Sequence, residues 1–479
     1  MTTNKRFALA AVAALAGMIA APASQAAANF TIINVNLPDV GFNDPTPVAP
    51  VGGNPGTTLG EQRINAFLHA VNIWGATLDS TVEIRMEASF VPLTCTATSA
   101  VLGSAGALTV HGNFANAPIA DTWYSSALAS KLAGVDVAPT TNDLRARFNV
   151  NLGQAGCLPG APFYLGLDNN HGTQIDLVAV LLHEMGHGLG FQTFTGSGGT
   201  GQTLAGLGVP SVWDHFMYDE TQGLRWVEMT DAQRATSTLN SRKLVWVGAN
   251  VTTAAPGVLS LGVPALTVAG PAAGTAAGQY VVGSAAFGPP LTAAGVSGDI
   301  MPTSQATSPL GDGCNPYTGI DALAANNNIL IINRGTCGFT VKVKNAQNAG
   351  ARGVIIADNA AGTPPPDLGG ADPTITIPAI RVSLEDGIKI RAQLTKRSRT
   401  RSGVIATLNL NTSQLAGTSP SGFVQLFAPN PYQAGSSLSH YDTSASRNLL
   451  MEPAINGDLT HEVAPPVDLT FPLFQDIGW

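Results

Sequence analysis

The chain has 479 residues, of which 44% are hydrophobic and 11% charged, and its formal net charge is −8. That balance excludes a charge-rich disordered chain and gives nucleic acid or an anionic membrane no electrostatic purchase. With 53 Gly and 32 Pro the chain is loop-rich without being low-complexity, and its length allows about three domain-sized units.

Residues 1–28 carry Lys5 and Arg6, an apolar run from Phe7 to Ala21, and the small residues Ser24-Gln25-Ala26-Ala27-Ala28. This is the pattern of an N-terminal export signal. The run is shorter than the roughly 20 residues that cross a bilayer, so a secreted, extracellular protein with no membrane span is expected. Residues 63–74 then carry apolar side chains at helical spacing. Residues 82–87 alternate as a strand does, and 144–150 and 163–167 read as further strands. A second helix is expected from Thr173, as its cap, to Leu189, with Gly188 and Gly190 marking its end.

From 250 to 313 the composition shifts to Ala, Gly, Val, Thr and Pro, as for short strands and turns. Residues 328–332 read as a buried strand, 341–349 as a helix and 353–357 as a second buried strand, the order of a small α/β unit. The basic stretch 396–401 reads as a solvated loop. The four cysteines Cys95, Cys157, Cys314 and Cys337 allow three disulfide pairings. Cys95–Cys157 with Cys314–Cys337 is expected, because each bond then closes a loop inside one expected domain.

The second helix contains His183-Glu184-Met185-Gly186-His187. Histidines at i and i+4 share a helix face and can reach one metal, with Glu184 beside them to accept a proton from water that the metal acidifies. Zinc is the expected ion, and a catalytic zinc site requires a third protein ligand. The pattern continues as Gly188-Leu189-Gly190-Phe191-Gln192-Thr193. It resembles the metzincin metalloproteases, whose motif has a third histidine where this chain has Thr193. His440 stands in Gly435-Ser436-Ser437-Leu438-Ser439-His440-Tyr441, eleven residues before Met451 in Leu449-Leu450-Met451-Glu452-Pro453. This resembles the leishmanolysin branch, in which an insertion separates the helix from the third ligand and a methionine turn follows.

The resemblance implies an α+β, two-subdomain catalytic unit. Zinc would be held by His183, His187 and His440, with Met451 beneath it. The implied function is a secreted zinc endopeptidase that hydrolyses peptide bonds of protein or peptide substrates, with Glu184 as general base. No calcium site is assigned.

Between the helix and His440 lie Asn333-Arg334-Gly335-Thr336-Cys337-Gly338-Phe339 and a run from Lys342 to Ile356. Together with Ile377-Pro378-Ala379-Ile380 and the helix after Ser383, they resemble a protease-associated (PA) domain. That implies an inserted small α/β domain concerned with substrate access or partner binding. The expected division is an export signal at 1–28, catalytic parts at 29–249 and 406–479, and the insert at 250–405.

Other readings use other residues. A carboxylate from Asp214, Asp219, Glu220 or Glu228 could complete the site as in thermolysin-like enzymes, or His215 could. Leu438-Ser439-His440-Tyr441 also echoes the astacin methionine turn, with Ser439 at the methionine position. Subtilisin-like proteases carry PA insertions too, and would use Ser419 as nucleophile, His171 as base and Asp79 to orient it. A non-catalytic binding protein on a peptidase scaffold is the last alternative, and the presence of Glu184 argues against it.

Overall fold

Thr58 and Glu61 start the first long helix, Leu59–Thr77, four residues before its apolar periodicity begins. They form a capping box in which the Thr58 hydroxyl accepts the Glu61 N–H at 3.2 Å and the Glu61 carboxylate returns to the Thr58 N–H. Such a cap contributes about 1 kcal/mol. The computed structural model describes residues 27–196, 199, 203–204, 207–303, 311–362 and 365–479. The expected export signal lies outside them except for Ala27 and Ala28. Ala28 is part of the fold, with its N–H directed at the Gly75 and Leu78 carbonyls at 3.0 and 3.1 Å.

The buried side of this helix, Ala66, Phe67, Ala70 and Trp74, packs on a four-stranded sheet and on the histidine helix. Trp74 Nε1 donates to the Leu182 carbonyl of that second helix at 3.3 Å. The sheet runs Phe30–Asn34, Ile84–Val91, Leu144–Asn149 and Gly103–Ala107. The first three strands are parallel, and Gly103–Ala107 is an antiparallel edge strand. The expected strand at 163–167 shrinks to Phe163–Tyr164, which pairs with Ile175–Asp176.

The histidine helix is Leu177–Leu189, and its cap is Asp176 rather than Thr173. Asp176 Oδ1 accepts the N–H groups of Val178 and Ala179 at 2.8 and 3.2 Å, while Oδ2 meets His461 Nε2 at 3.0 Å. A carboxylate held at that place satisfies two orphan donors and suits the positive end of the helix dipole. Gly190, at φ +126°, ends the helix. Every residue of the helix is buried.

A second, antiparallel sheet joins the two sides of the insert: Leu224–Arg225, Met217–Asp219, Leu244–Trp246 and Val424–Gln425. Phe67, Trp74, Trp213, Trp246, Met451 and Phe474 belong to one continuous core, so residues before and after the insert are buried together.

The insert is built on a seven-stranded mixed sheet in the order Gly278–Val281, Leu261–Ala269, Ile405–Leu415, Val296–Pro302, Ile329–Asn333, Gly353–Ala357, Ala379–Val382. The last four strands are parallel, and the helix Phe339–Asn348 makes the expected crossover. Separate clusters of buried side chains cover its two faces. The expected boundaries at 250 and 405 fall inside elements. Ala249–Val258 is a helix, not strand and turn, and buries Val251, Ala255 and Val258 in the main core. Ile405–Leu415 is a full strand of the insert's sheet. The two connections run side by side, since the Ser260 carbonyl accepts the Ala416 N–H at 2.9 Å. Neighbouring ends of this kind let an insertion cost little loop entropy.

The disulfides are Cys95–Cys157 and Cys314–Cys337, as expected. Lys396, Arg399 and Arg401 are exposed. No helix among the described residues is long and apolar enough to cross a membrane.

Candidate metal centre

His183 and His187 stand one turn apart on the histidine helix, and His440 reaches them from beyond the insert. The His440 segment is pinned on both sides. Leu438 N–H donates to the Phe427 carbonyl at 2.8 Å, Phe427 N–H to the His440 carbonyl at 2.9 Å, and Tyr441 N–H to the Met451 carbonyl at 2.9 Å. The three Nε2 atoms then lie 3.1 Å (His183 to His187), 3.2 Å (His187 to His440) and 3.2 Å (His183 to His440) apart. Among the described residues this is the one group of three or more His, Cys, Asp or Glu so gathered.

Each opposite nitrogen faces a backbone carbonyl: His183 Nδ1 the Leu450 oxygen at 2.8 Å, His187 Nδ1 the Phe191 oxygen at 2.8 Å, and His440 Nδ1 the Ser436 oxygen at 2.7 Å. A carbonyl oxygen only accepts, so each Nδ1 carries the proton. Burial holds all three rings neutral, with His183 pushed down to about 4, His187 to about 3 and His440 well below its ordinary value. Each Nε2 is therefore a bare lone pair, and the three lone pairs point at one another with no hydrogen between them. That arrangement is repulsive unless a cation sits among them. A tetrahedral zinc ion with bonds of about 2.0–2.1 Å needs donor nitrogens about 3.3 Å apart. The donor set and its spacing fit that ion, and no fourth His, Cys, Asp or Glu among the described residues is gathered with the three.

Glu184 is buried beside the histidines, and burial pushes its carboxyl up to about 8 against a hydrogen bond from the Ala105 backbone. The edge strand Gly103–Ala107 lies over it so closely that a Cβ on Gly103 would stand 2.6 Å from Glu184 Cγ. Met451 is fully buried. Its Sδ would stand 2.8 Å from a Cβ on Gly186, which places it against the helix between the two histidines. The turn that carries it is fixed from below, with Asp468 Oδ2 accepting the Leu450 N–H at 2.7 Å and Glu452 Oε1 the Leu449 N–H at 2.9 Å. Neither carboxylate was signalled by the sequence, since both act on backbone N–H groups.

The alternative ligands stay outside the cluster. Thr193 gives its hydroxyl to Asp214 at 2.6 Å, and Asp214 also accepts the Ser211 N–H. Asp219 is consumed by Ser237, Asn240 and the backbone at Thr221 and Gln222. Glu228 caps its own turn through the Arg225 N–H, and His215 Nε2 meets the Thr122 hydroxyl at 3.0 Å. Glu220 is not among the gathered ligand atoms. Ser439, at the astacin methionine position, accepts the Thr193 N–H.

The serine triad is not assembled. The Ser419 hydroxyl is buried without a hydrogen-bond partner, so no base touches it. His171 turns its Nδ1 to the Gln174 carbonyl at 2.8 Å, and the Asp79 backbone pairs with Ala27 in an isolated β-bridge.

Residues 296–390 match the family model described as the PA domain. No curated protein matches the chain. Among solved structures, part of the chain is similar to the aminopeptidase from Aneurinibacillus sp. strain AM-1, at 21% identity over 32% of this chain and 31% of that chain, TM-score 0.24. Another is the zinc aminopeptidase BSAP from Bacillus subtilis, at 20% identity over 34% of this chain and 36% of that chain, TM-score 0.22. A third is the psychrophilic subtilisin-like protease Apa1 from the Antarctic psychrotroph Pseudoalteromonas sp. AS-11, at 22% identity over 33% and 34%, TM-score 0.22. The chain spans about a third of the length of each, and what it shares with a known family is the PA domain at residues 296–390.

Proposed function

We propose that this protein is an exported zinc endopeptidase of metzincin type, with His183, His187 and His440 as ligands and Glu184 as general base. The observation that carries the reading is the meeting of three neutral imidazoles whose bare Nε2 atoms lie 3.1–3.2 Å apart. A zinc ion bound there supplies Lewis acidity, which acidifies water and polarises a carbonyl. The carbonyl partners of the three Nδ1 atoms hold the rings in the ligating tautomer and raise their basicity. Beside a zinc ion held by the three histidines, the Glu184 carboxyl is drawn down from about 8 to its ionised form, in which it can take a proton from the attacking water and return it to the leaving amine. Its low exposure keeps competing water from that carboxyl.

A peptide substrate is supported by the edge strand Gly103–Ala107. Its outer side pairs with no other described strand, so apart from the Ala105 backbone group that hydrogen-bonds Glu184 this edge can align an extended chain. The PA domain is assigned a role in substrate access or partner contact. Export to an oxidising compartment is supported by the two disulfides.

The test is casein degradation by the mature wild-type protein and Glu184→Ala, prepared alike. The expected result is cleavage by wild type and a loss of about 10²–10⁴-fold in the variant. Equal cleavage by both would refute the reading.

A further inference from the structure

Thr193 occupies the place where the shorter metzincin pattern has its third histidine, and it is not idle there. Its N–H donates to Ser439 Oγ at 3.1 Å across 246 positions of sequence. Its hydroxyl donates to Asp214 Oδ1 at 2.6 Å while accepting the Thr195 N–H at 3.0 Å. Asp214 is fully buried and takes the Ser211 N–H on its other oxygen at 2.9 Å. The surrounding rings close the same junction: Phe191 packs on Trp213 at 4.7 Å and on Tyr441 at 5.1 Å.

We propose that Ser439, Thr193 and Asp214 form a latch that registers the third-ligand segment on the exit of the histidine helix, making all three positioning residues for His440. The proposal rests on the zinc reading of the centre. The other backbone and side-chain hydrogen bonds of residues 436–441 lead to partners beyond the insert, such as Phe427, Met451 and Leu469. Ligand nitrogens aside, the Thr193–Ser439 bond is the one described hydrogen bond that ties this segment directly to the chain before the insert. The helix supplies two ligands and the distant segment one, so their relative placement decides whether three nitrogens reach one ion. A fully hydrogen-bonded carboxyl group at Asp214 fixes Thr193, because the Thr193 hydroxyl cannot rotate away without leaving a buried group unpaired.

The test measures zinc affinity by competition with a chelator, for wild type, Ser439→Ala, Ser439→Thr, Asp214→Asn and His440→Ala, alongside the melting temperature of each metal-free protein. Ser439→Ala deletes one oxygen from a half-buried residue. It is expected to weaken zinc binding about 10-fold, the lower end for residues that orient ligands, with the metal-free melting temperature close to wild type. Ser439→Thr keeps the hydroxyl and is expected to restore the affinity. Asp214→Asn keeps the shape but weakens the bond to Thr193, so it shifts the affinity in the same direction and serves if Ser439→Ala does not fold. Wild-type affinity in both Ser439→Ala and Asp214→Asn, with binding still dependent on His440, overturns the latch alone. Zinc binding that His440→Ala leaves unchanged overturns the zinc reading and the latch with it.

Discussion

Leu450 lends its carbonyl oxygen to His183 Nδ1 at 2.8 Å, across 267 positions of sequence. The residue that orients a ligand on the helix therefore sits next to Met451, in the turn that follows the third ligand. The insert is bridged at this centre by His440, by this bond and by the Thr193–Ser439 bond. The neighbouring Met451 supplies the packing that holds the turn against Gly186.

Shape, not sulfur, is what Met451 contributes. Met451→Leu is expected to cost less than about 1.5 kcal/mol and to keep activity. Met451→Ala is expected to cost about 2–5 kcal/mol through the cavity it leaves. Urea unfolding of the two variants checks this, and a Leu variant as damaged as the Ala variant would show that the thioether has a further role.

Gly103 is required by the closeness of strand and helix. A Cβ there would meet Glu184 Cγ at 2.6 Å and Oε1 at 2.7 Å. Gly103→Ala must displace either the strand or the carboxyl, and a displacement of about 1 Å at a catalytic group costs about 10²-fold in rate. The expected outcome is that loss of casein hydrolysis with a melting temperature near wild type. Full activity in the variant would mean that Glu184 is free to move.

Glu452 makes stability depend on pH. Burial, with Asp442 and Asp458 nearby, pushes its carboxyl up to about 8 from an ordinary 4.5, against hydrogen bonds from the Leu449 N–H and Asn456. Between those two values the folded chain keeps a proton that the unfolded chain has released, so this group's contribution to stability falls as pH rises through the window. Compared by urea unfolding at pH 5.5 and pH 8.5, Glu452→Gln should gain on wild type at the higher pH. A gap that is the same at both would contradict the raised value.

The histidine helix was legible because ligand spacing is a property of residue types at i and i+4. The PA segment was legible because its glycines, cysteine and apolar strands recur in a set order. The helix cap was not, since Thr173 and Asp176 are both good caps and the choice falls to Asp176, which His461 holds from another part of the chain. Ala249–Val258 was hidden by its composition. It contains Pro256 and is helical because Val251 and Ala255 find a buried place in the main core. The carbonyls of Leu450, Phe191 and Ser436, which set the ligating tautomer, leave no trace in residue identity at all. The serine-protease strings show the converse: Ser419 matched a short pattern, yet its hydroxyl is buried away from any base.

The most direct measurement follows casein hydrolysis by wild type and His440→Ala after complete removal of zinc and again after return of one equivalent. The account predicts that wild type loses its activity and regains it with one zinc per chain, while His440→Ala stays inactive in both conditions. Activity that survives zinc removal, or a His440→Ala variant as active as wild type, would contradict it.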